Sequence, residues 1–142
     1  MTRMVKALLC IVCLTLTACA TLTGLSDNFD RSKAFDRSVK AYNRMLRWHE
    51  IESAGMTYID PEQREEYLKR AETLKKRGLS VTDFRILSSR YLPEKKSGTV
   101  VAEFDYYILP SNRIKTISDR QEWIYREETN SWQLQSGLPP FE

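Results

Sequence analysis

The hydrophobic period of the sequence changes at Gly78, and this change constrains the fold more than any other feature. Before Gly78, apolar residues recur at steps of three and four, which is the spacing of one face of an α-helix. After Gly78, apolar and polar residues alternate, which is the spacing of a half-buried β-strand. Helices followed by a run of strands predict an α+β fold.

The first predicted helix begins near Asp30 and is expected to end or kink at Gly55. Its apolar face has residues at steps of four and three: Phe35, Val39, Tyr42, Leu46 and His49. The polar residues between them, Asn43 included, are expected on the wet face.

The second predicted helix lies within residues 59–78. Asp60 is a plausible N-cap, Pro61 the first helical residue, Gln63 the capping partner and Gly78 the stop signal. Its thin apolar stripe predicts a place at the surface of the domain: Tyr67, Leu68, Ala71 and Leu74.

Four strands are predicted after Gly78, at residues 81–92, 99–109, 114–126 and 131–135. The turns between them are "PEKKSG", "PSNR" and "EETN". Turns this short join neighbouring strands in antiparallel order. The prediction is two helices packed on one face of a curved four-stranded antiparallel meander.

The chain begins like an export signal. Arg3 and Lys6 precede the apolar run "ALLCIVCLTL", which is too short to span a bilayer and has the length of a secretory signal core. The following "LTAC", residues 16–19, resembles the lipobox of bacterial lipoproteins. That resemblance implies removal of residues 1–18, acylation of Cys19 and anchoring in a membrane. In Gram-negative lipoproteins, Ala20 in place of an aspartate implies the periplasmic face of the outer membrane. The alternative is an ordinary secreted protein with a cysteine beside its cleavage site.

The mature chain is predicted to be a lipidated tether, residues 19–29, followed by a single domain, residues 30–142. Cys10 and Cys13 leave with the signal, so the domain has no thiol for a disulfide, a metal or catalysis. Arg3 and Lys6 leave too, and 20 of the 22 basic residues remain against 19 acidic ones. This near-neutral balance argues against a nucleic-acid partner.

The order of the predicted elements resembles the nuclear transport factor 2-like superfamily, a class of cystatin-like α+β rolls. It is also similar to a group of bacterial lipoproteins within that class. The stretches that carry the resemblance are "RWHEIESAGMTYIDPEQREEYLKRAETL", "VTDFRIL", "YYILPSNRIKTISDRQEWIY" and "GLPPF". The resemblance implies a sheet and helices that enclose a cavity. Some members of the superfamily are enzymes, some bind apolar ligands and many are interaction modules.

Two binding sites are considered, each beside a structural interpretation. A cavity for a small apolar ligand would be lined by Tyr42, His49, Phe104, Tyr106 and Trp123, which are otherwise core residues. A partner-docking face would use Arg113, Lys115 and Arg120, which otherwise belong to a solvated strand face. The tail "GLPPFE" is expected to tuck Leu138 and Phe141 against the sheet.

No catalytic residue, metal site or cofactor is predicted. His49 is the only histidine, and a catalytic role would need an aspartate such as Asp83, Asp105 or Asp119 aimed at it. The sequence therefore favours a non-catalytic, lipid-anchored accessory or assembly module that binds another envelope component. A carrier or sensor of a small apolar ligand is the alternative, and an enzyme of the roll fold is a weaker one.

Overall fold

The structure is a computed structural model that describes the backbone of residues 2–142 and the side chains of residues 24–142. The chain divides into two units, one ending at Lys33 and the other comprising Ala34–Glu142. The side chains of the predicted signal peptide, residues 1–18, and of Cys19 lie outside the described residues.

Three helices precede four strands, which confirms the predicted α+β class and its order. The elements are α1 (Thr2–Arg47), α2 (Ile51–Tyr58), α3 (Arg64–Lys76), β1 (Leu79–Leu92), a short 3-10 helix (Pro93–Lys95), β2 (Ser97–Ile108), β3 (Lys115–Arg126) and β4 (Ser131–Leu134). The sheet order is β1-β2-β3-β4, and all three strand pairs are antiparallel. The predicted meander is confirmed, with strand ends within two residues of those expected from the alternation.

The prediction of two helices is wrong, because the first helical segment is interrupted before Gly55. His49 has a left-handed backbone with φ of 64°, and α2 starts only at Ile51. Gly55 lies inside α2. A Cβ atom there would stand 2.5 Å from Cδ1 of Tyr67, so the glycine permits α3 to pack closely on α2.

The predicted start of the second helix is also wrong, since α3 begins at Arg64 and not at Pro61. The Asp60 carboxylate accepts a hydrogen bond from the backbone N–H of Glu62 at 3.1 Å, which forms a turn before the helix. Its other oxygen pairs with Arg126, 2.6 Å away. Gly78, at φ of 75°, ends the α3 segment as predicted.

Residues 24–29, the second half of the predicted tether, belong to α1 and are helical. The sequence predicted an irregular segment there because it lacks apolar periodicity. A helix that is already nucleated extends at little cost, so weak periodicity did not end it. Within the part of the chain whose side chains are described, no helix has the length and apolar character needed to cross a bilayer.

The core of the domain lies between the helices and one face of the sheet. The predicted stripe of α1 is buried at Phe35, Val39, Tyr42 and Leu46. The predicted face of β2 is buried from Val100 through Tyr106 at alternate positions. From the tail, Leu138 and Phe141 are 6% and 2% exposed, so this part of the prediction is confirmed.

Candidate functional site

The side chains predicted to line a ligand cavity are packed against one another in the core. Tyr42, Phe104, Tyr106 and Trp123 are each at most 2% exposed. The rings of Tyr42 and Trp123 meet edge to face, with centroids 5.8 Å apart. The Phe141 ring lies 5.7 Å from Phe104 and 5.0 Å from Tyr106. The tail thus supplies the aromatic ring that fills the space beside β2.

His49, the fifth residue of that predicted cavity, is at the surface, which corrects its assignment to the apolar stripe of α1. The helix ends two residues earlier, at Arg47, and the left-handed conformation of His49 turns its side chain away from the stripe. Its Nε2 atom lies 2.9 Å from the Ser80 hydroxyl. The structure does not bring His49 together with Tyr42 or Trp123.

The predicted docking residues Arg113, Lys115 and Arg120 do not form one face. Arg113 lies in the loop between β2 and β3, while Lys115 and Arg120 lie on opposite faces of β3 because their numbers differ in parity. Lys115 shares the helix-covered face with Trp123 and donates a hydrogen bond to the Glu142 carbonyl at 2.8 Å. Arg120 lies on the outer face, so the three charges cannot act as one patch.

The outer face of the sheet carries a charged network. The Arg85 guanidinium pairs with Glu103 at 2.5 Å and with Asp105 at 3.1 Å. The Thr116 hydroxyl donates to Asp105 at 2.7 Å, and this bond, together with Arg85, lowers the pKa of Asp105. This face is polar and half-exposed along β2, as expected of a solvated strand face.

A buried amide pair that the sequence analysis missed joins α1 to β3. Asn43 and Gln121 are 0% exposed, and each amide donates to the other, at 3.2 and 2.7 Å. The Trp123 indole N–H donates to the same Gln121 carbonyl at 3.4 Å. Gln121 lies two residues before Trp123 on β3, so the two side chains are on the same face of the strand. This spacing was the sequence signal that could have predicted the burial of Gln121. Asn43, which was predicted to lie on the solvent-exposed face of the helix, is the hydrogen-bond partner that offsets the cost of burying the Gln121 amide.

Two oxygen atoms beside this pair are buried without a hydrogen bond of standard geometry: the Tyr42 hydroxyl and Oδ2 of Asp119. Burial raises the pKa of Asp119 to about 6. The hydrogen bond with Gln121 and the positive charge of Arg70 lower it, but their effect is smaller. Burial, and next the neighbouring Tyr67, raise the pKa of Tyr42 well above its ordinary value. The cluster therefore favours the neutral form of both groups.

Replacing Asp119 with asparagine is expected to change how stability depends on pH. A carboxyl whose pKa is raised by folding stabilises the protein below its unfolded pKa, and this stability is lost as pH rises through about 6. Asp119→Asn should therefore gain about 1–2 kcal/mol relative to the parent between pH 4 and pH 7, a range reduced for partial exposure. Urea unfolding of both proteins at the two pH values measures the gain.

Asp105→Asn is the matched control, because folding lowers the pKa of Asp105 and the sign is reversed. That variant should be less stable than the parent above the ordinary carboxyl pKa, and this deficit should shrink as pH falls below it. An Asp119→Asn variant whose stability follows the parent at every pH would mean that the carboxyl is hydrated in solution.

A small groove separates α3 from the C-terminal tail. Its volume is about 150 Å³. It is lined by Gln63, Glu66, Tyr67, Arg70, Ser136, Gly137 and Leu138. Arg70 donates to the Leu138 carbonyl at 3.4 Å, and the Tyr67 hydroxyl donates to the Ile51 carbonyl at 3.2 Å. Pockets that bind cofactors or drug-sized ligands have volumes of about 300–1,000 Å³, so this groove is too small for such a ligand. The hydrogen bond from Arg70 attaches the tail to α3 across the groove.

A second depression, of about 290 Å³, lies where the segment before α3 meets the β3–β4 hairpin. Asp60 is 3% exposed there, and the hydrogen bond from Arg126 lowers the pKa of its carboxyl group. This ion pair fastens the start of α3 to the sheet. Among the residues with described side chains, no group of three or more His, Cys, Asp or Glu is arranged to hold a metal ion.

Neither a protein-family model nor a curated protein sequence matches this chain. Among solved structures, the crystal structure of the intermembrane space region of the chloroplast protein ARC6 is similar, with a TM-score of 0.52 and 13% sequence identity. The match covers 75% of this chain and 93% of that one. At this identity the likeness concerns the fold alone, and the class defined is an α+β domain with helices before a meander.

Proposed function

We propose that this chain is a lipid-anchored accessory module of the bacterial envelope, which acts by binding a partner at its surface. The observation that carries the proposal is the packed interior, where Tyr42, Phe104, Tyr106 and Trp123 contact other side chains. Since these residues occupy the space that a carried ligand would need, binding is left to the surface. The lipobox-like "LTAC" supports the anchor.

We further infer that the domain is a small relative of the nuclear transport factor 2-like rolls. Its helices cover one face of the meander, and two register shifts in β1, between Val81 and Asp83 and between Ile86 and Ser88, bend the strand. With four strands and a tail that enters the interior, the cavity typical of that class is replaced by core. A roll whose interior is filled by side chains is suited to binding a partner at its surface.

The anchor places the domain at the outer membrane, on its periplasmic face, if the source is Gram-negative. One acyl chain holds a protein only marginally, at about 0.8 kcal/mol per buried CH₂, whereas the several chains of a modified Cys19 hold it durably. A partner would accordingly be an envelope protein within reach of this surface.

Replacing Cys19 with serine should release the folded protein from the membrane, because the acylated thiol is the anchor. The measurement is fractionation of the native host after a salt and carbonate wash, with the protein followed by immunoblot. Cys13→Ser is the matched control, since that residue leaves with the signal, and it should stay in the membrane fraction. Retention of the Cys19→Ser protein in washed membranes would contradict the anchor.

The surface that binds the partner is tested by crosslinking in living cells. A photoreactive residue at Ser118, exposed on the outer face of β3, should give a defined adduct with an envelope protein. The control carries the photoreactive residue at Thr73, on the exposed side of α3. It measures crosslinking to proteins that are merely nearby. Equal adducts from both positions, or none from Ser118, would contradict binding through the outer face.

A further inference from the structure

The two edges of the sheet differ in how they are covered. Beside β4, Ile59 forms a bridge with Leu134, and the Asp60 N–H donates to the Leu134 carbonyl at 3.0 Å. The segment between α2 and α3 therefore covers that edge at Leu134. β1 is the other edge, and its only strand partner among the described residues is β2. At 14 residues it is the longest strand of the sheet, so it presents a long row of backbone groups.

The second register shift of β1, between Ile86 and Ser88, changes which residues of the strand lie on the outer face. Asp83 and Arg85 pair with Asp105 and Glu103, so they lie on the outer face. Beyond the shift at Leu87, the outer residues are Ser88 and Arg90, and the numbering parity of that face has changed. All four are exposed, and Leu87 itself is 55% exposed. The Asp83 carboxylate accepts a hydrogen bond from the Phe84 N–H at 2.9 Å and lies 4.0 Å from Nε of Arg47, so Arg90 of a second copy would join an exposed charge that already has one weak partner.

This parity change makes β1 complementary to a second copy of itself. In an antiparallel pair with a two-fold axis perpendicular to the sheet, outer residues must face outer residues. The register that sets Ile86 against Leu87 of the other copy satisfies this condition, because Arg85 then faces Ser88. The same register places Asp83 opposite Arg90, twice by symmetry, so that opposite charges meet. This register therefore sets outer residues against outer residues and opposite charges against each other, and it leaves Arg85 to its own partners Glu103 and Asp105.

We propose that two copies of this chain associate through β1, in antiparallel register with Asp83 opposite Arg90, to form one continuous eight-stranded sheet. The exposed apolar side chain of Leu87 is then covered at the two-fold axis. The outer charged faces of both copies lie side by side and present one extended surface. The pairing requires no anchor at Cys19, so it stands or falls separately from the proposed function.

Paired cysteines test the register directly. The full-length chain is purified in detergent with Cys10, Cys13 and Cys19 replaced by serine, and Arg85→Cys and Ser88→Cys are introduced together. Across the proposed interface these two positions face each other at about 5 Å between Cα atoms, within disulfide range. Within one copy they are roughly 10 Å apart, which is too far. Mild oxidation should give a reducible dimer from most of the protein.

Each single cysteine is the matched control. In the proposed register Ser88 of one copy is about 10 Å from Ser88 of the other, and the same holds for Arg85. Arg85→Cys alone and Ser88→Cys alone should therefore give at least about ten times less disulfide-linked dimer than the pair. Equal crosslinking by the single variants would show collision or another register and would overturn the proposal, as would a double variant that stays monomeric.

Charge reversal provides an independent readout on the cysteine-free chain. Arg90→Asp sets like charges against each other at two symmetric places and should weaken dimerisation about 5- to 30-fold, measured by analytical ultracentrifugation. Asp83→Arg combined with Arg90→Asp exchanges the charges and should restore dimerisation to within about threefold of the parent. A monomeric parent chain, or a double variant as weak as Arg90→Asp alone, would contradict the pairing.

Discussion

Replacing Trp123 with alanine is expected to lower the free energy of unfolding by about 3–5 kcal/mol, the usual range for an aromatic side chain removed from a core. Trp123 is 1% exposed and lies at the centre of the aromatic core, in edge contact with Phe35, Tyr42 and Tyr58. Its removal also takes away the indole N–H that donates to the buried Gln121 carbonyl. Urea unfolding monitored by circular dichroism measures the loss.

Trp48 is the matched control for this substitution. It is also a tryptophan, but it is 63% exposed beside the C-terminal end of α1, where the Arg47 guanidinium lies 5.4 Å from its ring centre. Trp48→Ala should change the free energy of unfolding by less than about 0.5 kcal/mol. A loss below about 1 kcal/mol in Trp123→Ala, or similar losses in the two variants, would contradict the placement of Trp123 at the centre of the core.

Replacing Gly98 with alanine is expected to lower the free energy of unfolding by about 2–3 kcal/mol, through overpacking. Gly98 lies in β2 with its Cα against the Phe35 ring, and a Cβ atom would stand 2.5 Å from Cε2 of that ring. The ring cannot retreat freely, because it packs against Tyr91, Trp123 and Trp132. Thermal and urea unfolding of the variant measure the cost.

A second substitution identifies the cause of that cost. Phe35→Leu removes ring atoms that the new methyl would strike, so the double variant should be at least about 1 kcal/mol more stable than the sum of the two single losses predicts. Gly24→Ala is the control, since nothing lies within 4 Å of its Cβ position in α1, and it should be neutral or slightly stabilising. Additive losses at positions 35 and 98 would show that the ring and the glycine are not in contact.

The alternation of residues after Gly78 was sufficient to predict the sheet. Short turns left antiparallel order as the simple solution, and the buried face of β2, with Phe104 and Tyr106, follows from a period of two. The helices were predicted less well. Their break at His49 depends on a left-handed residue that is not a glycine, and the start of α3 depends on Asp60 being drawn to Arg126, 66 residues further along the chain.

The candidate sites show the same division. Aromatic character marked Tyr42 and Trp123 as important, but only the packed structure shows that Phe141 and other side chains fill the space that a ligand would need. Their positive charge suggested that Arg113, Lys115 and Arg120 act together. In the structure Arg113 lies in the β2–β3 loop, and Lys115 and Arg120 lie on opposite faces of β3. The Asn43–Gln121 pair joins residues 78 positions apart, and no local pattern reports a contact over that distance.

The sequence by itself determined the class of the domain, the order of its strands and the face that β2 buries, because these depend on periods of two and 3.6 residues that neighbours in the chain impose. Only the tertiary structure decided which polar groups are buried together, which edge of the sheet is covered by Ile59 and Asp60, and how the tail fills the core. Those outcomes depend on contacts between distant residues, whose free energy is gained only when the whole domain is assembled.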